Sequence, residues 1–222
     1  MPLADCERLV DGWLAQPTNA LSSLAFVIVG LLVPVLSRYR SEPHQLIAGS
    51  ISVAMVLVGI GSVAFHGPGG PASNWIHDGS ITVLLVLIVV LELGRWAGWD
   101  ARRIVNGWLA TSVAVLVIEL VRPAVGDMLN APLAFLAVLG IMGPLVGWPQ
   151  TRRPDTRNKG VLVAAGLVGT GAIIMLLGRT GGPLCVPDAV IQGHAVWHVF
   201  AAVGIGVYAF SEGVNFPVTR SL

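Results

Sequence analysis

The sequence predicts an all-α integral membrane protein, a bundle of seven transmembrane helices with its N-terminus outside and its C-terminus in the cytosol. The composition, the spacing of the apolar stretches and the placement of the basic residues each indicate this fold. Of the 222 residues, 55% are hydrophobic and 11% are charged, and the mean hydropathy is +0.78. A soluble domain carries about 25% charged residues, and a disordered chain combines low hydrophobicity with high net charge. The formal net charge of +1 predicts no nucleic-acid partner, and the length fits a single domain over residues 1–222.

Seven stretches are apolar enough to form transmembrane helices, each of which needs about 20 residues. They cover roughly residues 20–37, 44–65, 74–94, 104–121, 131–148, 160–178 and 191–210. Turn-forming or charged segments separate them, and the segment 67–71 between the second and third spans consists of glycine and proline alone. Because lipid offers no hydrogen bonds to free backbone groups, we expect the spans to be helical. Small residues should let these helices approach closely. The candidates are Gly30, Gly59, Gly61, Gly166, Gly169, Gly204 and Gly206.

The basic residues predict which side of the membrane each helix end faces. Ten of the thirteen Lys and Arg residues follow the first, third, fifth or seventh span, and three lie in the segments on the opposite side. Since cytoplasmic loops are enriched in Lys and Arg, this asymmetry predicts an external N-terminus and an odd number of spans. The short loops and the ratio of 12 Arg to 1 Lys favour a bacterial source, and hence a multi-pass protein of the plasma membrane.

The protein has two cysteines, Cys6 before the first span and Cys185 between the sixth and the seventh. Both are therefore expected on the outer, oxidising side, where disulfides persist. A Cys6–Cys185 disulfide would tie the N-terminal segment to the last outer loop. Two unpaired thiols are the alternative.

Ionisable residues inside transmembrane spans are costly, so each one is a candidate for function. Four of the five histidines lie at the predicted outer ends of the second, third and seventh spans, and His44 lies at the cytosolic edge. His194 and His198 are four residues apart and share one face of a helix, and His66 ends the second span. The imidazoles of His66, His194 and His198 would form a ligand set that zinc prefers, and catalytic zinc keeps a fourth position for water.

Two further polar residues lie at the same predicted depth. Asp78 begins the third span and could exchange a proton with that water, and Ser62 could hydrogen-bond a developing oxyanion. Each feature also has a purely structural interpretation: interfacial histidines, a packing hydroxyl or a helix cap. Their occurrence at one depth favours a site. His77 is expected at the membrane interface, outside the ligand set, and Glu92 is expected as an interfacial charge near the cytosolic side.

The motifs Ser62-x-x-x-His66, Asp78 twelve residues later, and His194-x-x-x-His198 on the seventh span resemble those of the alkaline ceramidase family. That family belongs to a superfamily of seven-helix hydrolases that includes the adiponectin and progestin receptors. The similarity covers nearly the whole chain in span count and motif order. It implies a zinc amidase that hydrolyses the N-acyl bond of ceramide or a related N-acyl lipid. In that mechanism the three histidines hold Zn²⁺, Asp78 is the general base and acid, and Ser62 steadies the tetrahedral oxyanion.

The N-terminal segment also resembles that of the family, in Cys6-Glu7 and in residues 15–22. The resemblance implies a Ca²⁺ ion with Glu7 at a ligand position, and it implies the Cys6–Cys185 pair. The family's other acidic and Asn ligand positions are occupied here by Ala4, Leu9 and Gln16. Because calcium takes several oxygen ligands, these residues argue against a calcium site unless Asp5 or Asp11 compensates.

Other functions of seven-helix proteins require different sequence features. A receptor- or channel-like protein with a structural zinc site is the main alternative, and a closed fourth position at the metal would favour it. A retinal pigment needs a lysine in the last span, whereas Lys159, the one lysine, lies in a predicted cytosolic loop. A transporter would normally show internal repeats, and the sequence shows none. The expected partners are therefore membrane lipids and an N-acyl lipid substrate, bound toward the outer leaflet, without retinal.

Overall fold

The computed structural model describes residues 5–125 and 155–212. Within these ranges the chain is helical, apart from loops and one isolated β-bridge between Asp5 and Arg179. The helices are α1 (Pro17–Ser22), α2 (Leu24–Ser37), α3 (Glu42–His66), α4 (Ser73–Trp96), α5 (Ala101–Val125), α6 (Asp155–Leu177) and α7 (Gly193–Glu212). With α1 and α2 taken as one segment, six helical segments are long and apolar enough to cross a membrane. The predicted fifth span, 131–148, lies outside the described residues.

Helices joined by a short connection run in opposite directions, from α2 through α5 and from α6 to α7, so that one end of the bundle collects several helix termini. α3 packs against both α2 and α4, α7 packs against α2 and α6, and α5 packs against α4. At one end the backbone N–H of Gln16, just before α1, donates to the carbonyl of His66 at 2.8 Å. Gly178 and Gly193, which join the end of α6 to the start of α7, are in backbone contact at the same end. We call this end, which carries four histidines, the histidine end.

A tight turn between α3 and α4 brings two of these histidines side by side. Gly69 and Gly70 have φ angles of 63° and 119°, which side chains of L-residues rarely allow. Ser73 then begins α4, and its Oγ donates to the carbonyl of Gly70 at 2.8 Å. The rings of His66 and His77 consequently lie 5.9 Å apart, on different helices.

Glycines set the distance between α3 and its two neighbours. A Cβ on Gly59 would lie 2.6 Å from Val27 Cγ2 and 3.1 Å from the carbonyl oxygen of Ser23, both in the segment formed by α1 and α2. A Cβ on Gly61 would lie 2.9 Å from the carbonyl oxygen of Ile76 in α4. Close backbone approach of this kind is how small residues pack membrane helices.

The other glycines singled out from the sequence divide into two groups. Gly30, Gly204 and Gly206 lie against neighbouring helices, as predicted. For Gly166 and Gly169 in α6, a Cβ would meet no described atom within 4 Å, so the described residues show no helix contact at these two positions. Hydropathy alone does not tell which face of an apolar helix meets a neighbour.

Glu92 does not lie at the surface, contrary to the sequence-based expectation. Its side chain is buried, with 3% exposed, and one of its carboxylate oxygens accepts a hydrogen bond from Tyr208 Oη at 2.7 Å. Burying a carboxyl is costly unless hydrogen bonds compensate for the lost water. The hydrogen bond from Tyr208 does this for Glu92, and it joins α4 to α7 well away from the histidine end.

Candidate metal centre

Three imidazoles converge at the histidine end. The ring centroids of His66 and His194 are 4.9 Å apart, those of His66 and His198 are 5.3 Å apart, and those of His194 and His198 are 4.6 Å apart. One nitrogen from each ring lies within 4.8 Å of the other two. His194 and His198 come from adjacent turns of α7, and His66 is the last residue of α3. The predicted triad is therefore assembled in one place and could hold a metal ion.

The contacts of His66 leave one ring nitrogen available to a metal. Its Nδ1 lies 2.7 Å from Gln16 Oε1, an oxygen that only accepts hydrogen bonds, so Nδ1 carries the proton and donates. Its Nε2 is then an unprotonated acceptor, and it is buried without a hydrogen-bond partner among the described residues. Such an orphaned nitrogen is costly unless an ion or molecule completes it. The site thus fits a metal cation at this position.

His194 is oriented in the same way by a carboxylate. Asp5 Oδ1 lies 3.0 Å from His194 Nδ1, and Asp5 Oδ2 lies 3.8 Å from His66 Nδ1. Burial by itself would raise the pKa of the Asp5 carboxyl. The hydrogen bond to His194 and the attraction of His194, His66 and Arg179 outweigh burial, and they hold that pKa below its ordinary value. An ionised Asp5 accepts the Nδ1 proton of His194 and leaves Nε2 free.

Two serines orient His198. Its Nδ1 lies 2.9 Å from Ser22 Oγ and 3.4 Å from Ser23 Oγ. Ser22 Oγ donates to the carbonyl oxygen of Asn19 at 2.9 Å, so its single proton is engaged and it offers a lone pair to the ring. Ser23 Oγ can donate to the same carbonyl at 2.7 Å or to Ser62 Oγ at 2.8 Å. His198 Nε2 then faces Ser62 Oγ at 3.3 Å.

Of the two predicted catalytic side chains, Ser62 contacts the triad directly. It is buried, with 1% exposed, and its Oγ is 2.8 Å from Ser23 Oγ. Asp78 pairs with its neighbour instead, through Oδ1 at 2.8 Å from His77 Nδ1. The His77 ring stacks on Phe65, with centroids 4.7 Å apart. Asp78 is thus linked to the cluster through a histidine that the sequence placed outside the ligand set.

Glu7, at which the resemblance implies a calcium ligand, contacts the start of α1. Its two carboxylate oxygens accept the backbone N–H groups of Thr18 and Asn19, at 2.7 and 2.9 Å. These are unpaired donors at the start of α1, so Glu7 caps this helix. Within the described ranges, the histidine triad is the one group of three or more His, Cys, Asp or Glu side chains close enough to share an ion.

The N-terminal segment is covalently fixed across this end of the bundle. Cys6 and Cys185 form a disulfide with Cα atoms 5.5 Å apart. Arg8 pairs with Asp188 at 2.7 Å, next to the disulfide. The segment that carries Asp5 and Glu7 is thereby tied to the loop that leads into α7.

An apolar cavity of about 370 Å³ leads away from the triad. Ser62, His194 and His198 line one end, and Tyr208 lines the other. Between them the walls are side chains such as Leu84 of α4 and hydrophobic residues of α6 and α7. A cavity with polar groups at one end and apolar walls suits a ligand with a polar head and a long hydrocarbon chain.

The residues that orient the rings were not predicted from the sequence as part of the site, namely Asp5, Gln16, Ser22 and Ser23. One indication was present: Asp5 precedes Cys6, and Cys185 precedes His194 by nine residues. A disulfide between these cysteines brings Asp5 to the region of His194.

Comparison with known proteins adds no assignment. The chain matches no protein-family model, and it matches no curated protein.

Proposed function

We propose that the protein is a zinc-dependent intramembrane hydrolase that cleaves the amide bond of ceramide or a related N-acyl lipid. The observation that carries this proposal is the convergence of three imidazole nitrogens within 4.8 Å at the polar end of an apolar cavity. A three-histidine set is a common ligand group of catalytic zinc. The adjoining cavity gives a reason for placing such a centre inside a membrane, because a lipid chain can remain in apolar surroundings while its amide reaches the triad.

His66, His194 and His198 would hold the zinc. When bound, the ion would act as a Lewis acid toward the substrate carbonyl and lower the pKa of water at the site. Ser62, whose Oγ lies beside His198 Nε2, donates a hydrogen bond to the developing oxyanion. Asp78 takes the proton from the attacking water and returns it to the departing amine. The hydrogen bond of Asp78 to His77, which lines the cavity, supports this role.

The proposal includes the topology and location expected from the sequence. The chain crosses a bacterial plasma membrane seven times, with the N-terminus outside and the histidine end toward the outer leaflet. The disulfide at the histidine end supports this orientation, because disulfides persist in oxidising compartments.

Metal analysis of the purified protein, combined with amide release from a panel of N-acyl lipids, tests the proposal. The wild type should contain about one zinc per chain and release fatty acid. His66→Ala should lose zinc and activity together, because only two of the three imidazole ligands remain. His44→Gln at the opposite end, where a hydrogen bond to Ser41 can be retained, is the matched control and should keep both.

Two outcomes would contradict the proposal. If His66→Ala retained both bound zinc and full activity, the triad would not be the centre. If the wild type held zinc but cleaved no amide or ester lipid, a receptor- or channel-like protein with a structural zinc site would be favoured instead.

A further inference from the structure

We infer that Asp5 is a positioning residue for the metal centre, and that the Cys6–Cys185 disulfide holds it against His194. This inference needs the metal site of the proposed function, but it does not need the hydrolytic reaction. Neither Asp5 nor the disulfide touches the substrate cavity as lined by the described residues. Their contribution would be to metal affinity, through the orientation of one ligand.

The contacts of Asp5 are those of a carboxylate that orients a metal-binding histidine. Oδ1 accepts from His194 Nδ1 at 3.0 Å, which fixes the ring and directs Nε2 toward the other two imidazoles. Oδ2 lies 3.8 Å from His66 Nδ1, so one carboxylate faces two rings of the triad. Carboxylates in this relation to a metal-bound imidazole raise its basicity, and their removal typically weakens metal binding.

Asp5 is held in place by its backbone. It forms the isolated β-bridge with Arg179, and its carbonyl accepts from Thr180 Oγ1 at 3.0 Å. The next residue, Cys6, is bonded to Cys185 in the same loop. Further along, the backbone N–H of Arg8 donates to the carbonyl of Pro187 at 3.1 Å.

The same loop leads directly into α7, so one covalent bond fixes both partners of the contact. Cys185 precedes His194 by nine residues, and Cys6 follows Asp5 immediately. Among the described residues, the disulfide is the covalent link between the N-terminal segment and this loop, and the Arg8–Asp188 ion pair beside it is exposed and contributes little. We therefore expect reduction of this bond to release Asp5 and to weaken metal binding.

The experiment measures zinc affinity of the full-length apoprotein in detergent, by competition with a chromophoric chelator. Asp5→Ala should weaken zinc binding about 10–100-fold. Asp5→Asn should recover part of this loss, because the amide oxygen still accepts from His194. Asp11→Asn, an exposed carboxylate of the same segment, is the matched control and should leave the affinity unchanged.

Two further measurements separate positioning from a general effect on folding. The cobalt-substituted protein should show a changed visible spectrum in Asp5→Ala and an unchanged one in Asp11→Asn, since the spectrum reports on the ligands. The double variant Cys6→Ser/Cys185→Ser should weaken zinc binding to a similar degree. Adding Asp5→Ala to this double variant should weaken zinc binding little further. The inference fails if Asp5→Ala binds zinc as the wild type does, or if the disulfide and Asp5 effects simply add.

The outcome also distinguishes this inference from the proposed function. Loss of affinity in Asp5→Ala, together with a wild type that cleaves no lipid, would retain the positioning role and reject the hydrolase. A wild type that takes up neither zinc nor cobalt would overturn both.

Discussion

Ser62 lies where the cavity meets the histidines. Its Oγ is 3.3 Å from His198 Nε2 and 2.8 Å from Ser23 Oγ, and the side chain is almost fully buried. The hydroxyl is therefore positioned before any substrate arrives. A preorganised donor is most effective where water is excluded, which favours a role for Ser62 in stabilising charge during the reaction.

Ser62→Ala should lower kcat about 10²–10³-fold, because a donor to the oxyanion is lost. The zinc content should not change, since no ligand is removed. Ser50→Ala is the control on the same helix, where Oγ donates to the carbonyl of Leu46 at 3.0 Å, and it should leave kcat unchanged. Amide release and metal content are measured for each variant. Full activity in Ser62→Ala, or loss of its zinc, would contradict the proposed role.

At the residue scale, periodicity made the ligands predictable but not their partners. His194 and His198 are recognisable because residues four apart share a helix face. Asp5 and Gln16 have no such relation to the histidines they contact, and only the path of the N-terminal segment brings them together. The contact of Glu7 with the start of α1 likewise depends on a chain reversal that no local pattern encodes.

At the element scale, α3 carries the closest helix contacts. Gly59 meets the backbone of the first transmembrane segment, and one turn later the same helix presents Ser62 and then His66. The separation of these two helices therefore also sets the distance between Ser62 and Ser23. The packing of these two helices and the geometry of the site therefore depend on the same interhelical distance.

Gly59→Ala should destabilise the protein by about 1–3 kcal/mol, because the added Cβ overpacks the contact with Val27 and Ser23. Gly49→Ala on the same helix is the control, since a Cβ there meets no described atom within 4 Å. That substitution should be neutral or stabilising, because alanine favours helix over glycine. Thermal unfolding in detergent compares the two variants. Equal melting temperatures would mean that the residues around Gly59 accommodate the added Cβ without a loss of stability.

Hydropathy predicted the bounds of the second and third spans to within a few residues. The second was predicted at 44–65 and is Glu42–His66, and the third was predicted at 74–94 and is Ser73–Trp96. The helices extend beyond the apolar stretches because polar residues at their ends continue the backbone hydrogen bonding. Hydropathy carries no information on helix rotation, so it does not separate Gly59, which meets a neighbouring helix, from Gly166 and Gly169, which meet no described atom within 4 Å.

At the scale of the whole molecule, the Tyr208–Glu92 contact lies at the end of the cavity away from the triad. Tyr208 lines that end, and its hydrogen bond of 2.7 Å to the buried Glu92 holds the ring in place. His198 and Tyr208 are ten residues apart on α7, a rise of about 15 Å. Under the proposed function, this distance limits how much of an acyl chain can be buried. Burial of Glu92 was not foreseeable from the sequence, because it depends on how α4 is rotated against α7.

Tyr208→Ala should shift the preferred substrate to longer acyl chains, because the far wall of the cavity is removed. Each additional buried methylene contributes about 0.8 kcal/mol, or about fourfold in binding. Tyr208→Phe keeps the ring and should keep the wild-type preference, and Val203→Ala on the exposed face of α7 is the control. The relative rates of cleavage over a series of acyl-chain lengths test this prediction. A Tyr208→Ala profile that coincides with the wild type would exclude this wall as the limit.

The bond between Cys6 and Cys185 spans 179 positions, so it closes the chain into a ring that contains α1 to α6 and leaves α7 as a tail. A single protease cut at any connection inside that ring separates no fragment. The nicked protein would migrate as one species on a non-reducing gel and as two after reduction. An unchanged band on a non-reducing gel after proteolysis is therefore no evidence that the loops of this protein resist cleavage.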